Sequence, residues 1–99
     1  MIEARRSIAI ERAKDACEAL SSLGVSALVF GSLVNHRFGP TSDVDLLIVK
    51  CPRELKYGIE GLVEDRLGGL PFDVIYLDEI PAEKLDRFVR EAVDARELD

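Results

Sequence analysis

Tryptophan is absent, histidine occurs once, at His36, and cysteine twice, at Cys17 and Cys51. One imidazole and two distant thiols with no Cys-x-x-Cys spacing leave no ligand set for a zinc site, so both cysteines read as reduced, structural thiols. An excess of positive charge is missing too: 13 Lys and Arg stand against 19 Asp and Glu, for a net charge of −6. A chain of that sign does not coat a phosphate backbone, and direct nucleic-acid binding is not expected. No apolar run approaches the roughly 20 residues that cross a bilayer. The N-terminus, with Glu3 and Glu11 among its basic residues, lacks the apolar stretch of a secretion signal, which points to the cytoplasm. Internal repeats, low-complexity tracts and Gly/Ser linkers are likewise lacking. What remains is 99 residues, 47% hydrophobic and 32% charged, the make-up of one folded domain over residues 1–99.

The apolar spacing sets out the elements. Ala9, Ala13, Ala16, Leu20 and Leu23 step by four and three, the period of one helical face, and Gly24 can end that helix in a left-handed conformation. The helix runs from about residue 2 to 23. Residues 25–30 are short, apolar and followed by Gly31, the form of a buried strand; residues 32–37 read as a turn or two of helix before Gly39 and Pro40. A second buried strand covers 44–49. Leu55, Ile59, Leu62, Val63 and Leu67 mark a helix over 53–67, although Gly58 and Gly61 each weaken a helix interior by ~1 kcal/mol. Residues 72–77 read as a third strand, and Pro81 opens a last helix with the stripe Leu85, Phe88, Val89 and Ala92.

Acids interrupt these strands. Asp43 and Asp45 flank Val44 at the start of the second strand, and residues two apart on a strand share a face, with Cα atoms roughly 6.5 to 7 Å apart. Taken alone, such acids are ordinarily turn caps or edge charges that block aggregation. Asp73 stands in Phe72-Asp73-Val74-Ile75-Tyr76, where a carboxylate among apolar neighbours is paired, bound to a cation or solvated at the strand end. Together the three make a hard-oxygen pocket suited to Mg²⁺. Gly31-Ser32 follows the end of strand one, whereas the acids begin strands two and three. Bringing them together requires strand one antiparallel to strand two, and strand three parallel to strand two through a right-handed helical crossover. The expected fold is α/β, a small mixed three-stranded sheet with flanking helices.

Gly31-Ser32, a ten-residue gap, Asp43-Val44-Asp45 and a later strand acid resemble the nucleotidyltransferase fold of the DNA polymerase β superfamily. The length, the phrase Ser42-Asp43-Val44-Asp45-Leu46-Leu47 and the tail from Glu91 to Leu98 resemble the minimal nucleotidyltransferases, small proteins usually paired with a HEPN-domain toxin as its antitoxin. The resemblance implies that Asp43, Asp45 and Asp73 are catalytic and hold two Mg²⁺ ions, and that Gly31 and Ser32 bind the phosphates of ATP or another nucleoside triphosphate. It also implies transfer of a nucleoside monophosphate to a hydroxyl, in this group a tyrosine of the toxin. Many minimal nucleotidyltransferases continue Gly-Ser-Arg-x-Arg-Gly; here the stretch is Leu33-Val34-Asn35-His36, with no arginine before Arg37. Arg37, with Lys50 as second choice, is expected to replace the lost cationic contacts, and His36 to be a solvated loop residue. The alternative is an antitoxin of weak or lost activity that neutralises its partner by contact.

Overall fold

The structure, a computed structural model, describes residues 2–35, 37–39 and 42–98. Helix α1 (Ile2–Ser21) buries Ala9, Ala13, Ala16 and Leu20 of the stripe its period predicts, but Leu23, beyond its end, is 49% exposed. It stops two residues short of Leu23 because Gly24, at φ +84°, turns the chain so that the Val25 N–H reaches back to the Leu20 carbonyl at 3.0 Å. Strand β1 (Ser26–Phe30) follows, then a single 3₁₀ turn, Gly31–Leu33, in place of the one or two helical turns expected to Arg37. Strand β2 is Val44–Lys50 and strand β3 is Phe72–Tyr76, with Leu77 already in the next 3₁₀ turn.

The segment expected as one helix over 53–67 is split. Arg53–Gly58 is 3₁₀ and only Ile59–Leu67, helix α2, is α-helical. The division falls at Gly58, which precedes α2 with no side-chain capping bond. Leu55 still packs against the core and Tyr57 is left 97% exposed. Helix α3 (Ala82–Glu91) carries Leu85, Phe88 and Val89, but Ala92 lies beyond its end in extended backbone and no α3 residue is fully buried.

The sheet order is β1-β2-β3, antiparallel between β1 and β2 and parallel between β2 and β3, as the convergence of the acids requires. Val29, Val44, Leu46 and Ile48 face α1 and α2, meeting Ile59, Val63 and Leu67 in one core. The other face carries Leu28, Phe30, Asp45, Leu47, Asp73 and Ile75, since directly paired residues project to the same side. Helix α3 reaches it through Phe88, whose ring meets Phe30 edge to face with centroids 5.2 Å apart. The tail after α3 has a role its mixed composition does not announce: Val93 pairs with Val29 through two 2.8 Å backbone bonds along the outer side of β1. Both cysteines are free and half-buried.

Candidate active site

The register fixes the centre of the site. Phe30 opposes Asp45 across the antiparallel pair, and Asp45 opposes Asp73 across the parallel pair. Neighbouring strands lie about 4.8 Å apart, so one row of the sheet reads aromatic ring, carboxylate, carboxylate. Asp43, one residue before β2, is exposed; the 2.9 Å bond from the Val44 N–H to the Pro71 carbonyl fixes the strand beside it. Asp73 is exposed and Asp45 half-buried.

Gly31 closes the row from the β1 side. Its φ is +80°, in the left-handed region, and a Cβ built on it would overlap the Asp45 carboxylate. The backbone of the glycine turn therefore approaches that carboxylate more closely than any other residue type permits. Ser32 follows, half-buried. The Gly31 carbonyl accepts from the N–H groups of Val34 and Asn35 at 3.0 and 3.1 Å, and the Ser32 carbonyl from that of Arg37 at 3.0 Å. The Asn35 side-chain oxygen accepts from the same Arg37 N–H at 3.1 Å.

Electrostatically the row is strained. Burial pushes the Asp45 carboxyl up to about 6, and the charges of Asp73 and then Asp43 add to the shift. Among the described residues no ion pair or side-chain hydrogen bond offsets any of the three. Nor do any three His, Cys, Asp or Glu side chains among the described residues already gather around one ion. The donor chemistry nevertheless fits Mg²⁺, which is commonly held by one or two carboxylates and completed by water and substrate phosphates rather than by a closed protein cage. Carboxylates that repel one another and lack a cationic partner are the set such an ion would relieve.

Of the basic residues expected to help, Arg37 is exposed on the loop after Ser32. Lys50 pairs with Ser26 at the far end of β2, five residues from Asp45 and so about 16 Å away along the strand, which removes it from the site. His36 and Pro40 lie outside the described residues. One basic residue went unnoticed in the sequence: Arg6 of α1 donates from a guanidinium nitrogen to the Leu33 carbonyl at 3.0 Å. Its signal was its place seven residues before Ala13, on the helix's inward stripe. An open cleft of about 710 Å³ between α1 and the start of β1, lined by Lys14, Cys17 and Asp94, includes none of Asp43, Asp45 and Asp73. Burial and Asp94 push the Cys17 thiol there up to about 11, so it is protonated and unreactive at neutral pH.

No curated protein sequence matches the chain. A family model described as a nucleotidyltransferase domain matches residues 10–99. That span takes in the glycine turn, all three strands and all three acids, and the chain belongs to the nucleotidyltransferase domain family, within the polymerase β-like superfamily.

Proposed function

We propose that the chain is a Mg²⁺-dependent nucleotidyltransferase that moves a nucleoside monophosphate, AMP by preference, from a nucleoside triphosphate to a hydroxyl. The observation that carries this reading is the Asp45–Asp73 pair, in register on one sheet face, against the backbone of Gly31 and without a cationic partner among the described residues. In the reaction the acceptor oxygen bonds to the α-phosphorus, the α–β phosphoanhydride breaks, and pyrophosphate leaves. Asp43 and Asp45 would hold the ion associated with the triphosphate, and Asp45 and Asp73 the second ion. Bound there, the ions supply Lewis-acid stabilisation of the charge on the transferring phosphoryl group. Gly31 and Ser32 orient the phosphates through backbone N–H groups and the serine hydroxyl, with Arg37 as the outer cation. Asp73, exposed at the edge of the row, accepts the proton from the acceptor hydroxyl.

The acceptor, on this reading, is a tyrosine of a HEPN-domain toxin encoded beside it, and the chain acts in the cytoplasm as the antitoxin. Support comes from the resemblance in length and motif. Among the described residues no helix is long and apolar enough to cross a membrane. A second reading, neutralisation by contact without turnover, is favoured by one observation: Arg37 is the one described arginine between Gly31 and Gly39, and it is exposed.

Titration calorimetry with ATP separates the site from its rivals: affinity is expected to collapse without Mg²⁺ and in Asp43→Asn/Asp45→Asn. Equal binding by the double variant would remove the site assignment. Incubation with α-phosphate-labelled ATP and the neighbouring protein is expected to label a tyrosine of that protein. A chain that binds ATP and partner yet never labels it would leave the contact antitoxin in place of the enzyme.

A further inference from the structure

The inward stripe of α1 does not end in aliphatics. Counting back from Ala13 by seven gives Arg6, and from Ala9 by four gives Arg5; both are half-buried, and the Nε atoms of both are shielded from solvent. Ordering an arginine side chain costs roughly 2 kcal/mol of rotamer freedom, so a cation on a helix's inward face needs a partner that repays it. For Arg6 one such partner is the Leu33 carbonyl, 27 residues away in sequence and the last of the Gly31–Leu33 turn.

The turn's other two carbonyls are held locally, Gly31 by the N–H groups of Val34 and Asn35 and Ser32 by that of Arg37. Leu33 is held by α1. A guanidinium with a carbonyl at one end and a stem packed on a helix is a strut: it fixes the tilt of the turn against the helix. It thereby fixes the direction in which the Gly31 and Ser32 backbone meets Asp45. It also places a positive charge beneath a segment in which Arg37 is the one described cation and three carboxylates stand opposite.

We propose that Arg6 is a positioning residue for the nucleotide, setting the Gly31–Leu33 turn and supplying from α1 part of the positive charge that a triphosphate requires and that the loop itself lacks. This rests on the reading of Gly31 and Ser32 as the phosphate contacts. Arg6 acts through the Leu33 carbonyl and does not itself touch the reacting atoms. Because its contribution is to phosphate charge, its effect grows with the number of phosphates on the ligand.

The test uses the full chain with Arg6→Met, which keeps volume and loses the donors, and Arg6→Lys, which keeps the charge and loses the fork. Calorimetric affinities for ATP, ADP and AMP with Mg²⁺ are compared with amide exchange at residues 33–35 without nucleotide. Arg6→Met is expected to weaken ATP about 10-fold, through the misplaced turn and the lost nearby charge, ADP less, and AMP about 2-fold at most. Arg6→Lys is expected to fall between, and amide exchange to quicken in both variants. A purely structural prop would lower the melting temperature while leaving the ATP-to-AMP affinity ratio unchanged, and that result overturns the proposal. If the methionine variant does not fold, the same ratio in Arg6→Lys decides. Wild-type chain that binds no nucleotide overturns the site reading and this inference together; wild-type binding with unaltered ratios in the variants overturns this inference alone.

Discussion

The two faces of the three-stranded sheet are built on opposite terms. Toward α1 and α2 the sheet presents Val29, Val44, Leu46 and Ile48, each at most 2% exposed. Toward α3 it presents Phe30, Asp45 and Asp73 in one row and Leu28, Leu47 and Ile75 in the next. Of these only Leu47 is fully buried, and Val89 of α3 remains 52% exposed. One face carries the stability and the other accommodates mutually repelling charge at a cost in stability. Residues 44 to 48 of a single strand do both by alternation, which is why a shift of register by one residue would destroy the core and the site together.

The largest expected effect breaks the charged face. Asp73→Asn is expected to lower transfer of labelled nucleotide by two to four decades, since general-base and metal terms each commonly contribute ~100-fold or more. ATP binding should survive better than turnover. If Asp73 only ends its strand, labelling would persist, and the kinetic assay distinguishes the two.

Next, the packed face. Leu46→Ala is expected to cost about 2–5 kcal/mol in denaturant unfolding, the range for a fully buried aliphatic whose cavity cannot collapse. Ile75→Ala, half-buried on the other face, should cost less than half as much. Equal losses would erase the distinction between the faces.

A smaller effect lies at their junction with the turn. Gly31→Ala combines a φ of +80° with overlap of the Asp45 carboxylate, and holding a non-glycine residue there costs about 1–3 kcal/mol. Thermal melts of Gly31→Ala, Asp45→Gly and the double variant should show positive coupling, because removing the carboxylate relieves the overlap and leaves only the backbone term. Simple additivity would mean the two residues do not meet.

The smallest effect concerns pH. Native Asp45 keeps its proton up to about 6, against 3.8 ordinarily. Between those values the native state binds more protons than the unfolded one, so its stability falls as pH rises through the window and is fully regained below 3.8. Asp45→Asn should therefore be the more stable chain at pH 7.5, by under about 1 kcal/mol at a site this exposed, and the gap should narrow at pH 4.5. A gap independent of pH would mean that charge at residue 45 is not the source.

Much of this was legible because period and spacing are local properties. The α1 stripe, the three strands and the mixed topology follow from apolar spacing and from the demand that Gly31, Asp43, Asp45 and Asp73 converge. The 3₁₀ half of the 53–67 segment was not legible, because the apolar positions Leu55 and Ile59 suit either helix. The edge pairing of Val93 was hidden for a different reason: one bridge leaves no period to read. Arg6 was invisible because its meaning depends on a carbonyl, and carbonyls have no letter in a sequence.

The bridge between Val29 and Val93 bears on the order in which the molecule is completed. During synthesis the N-terminal portion emerges first, and β1 can pair with β2 once residue 50 is free. The outer edge of β1, the strand that leads directly into the glycine turn, stays unsealed until residue 93 has left the ribosome, more than 60 residues later by the chain's own numbering. An open strand edge is a template for pairing with another chain. Until then the strand beside the candidate site is an adhesive margin, and the segment around Val93 is what closes it.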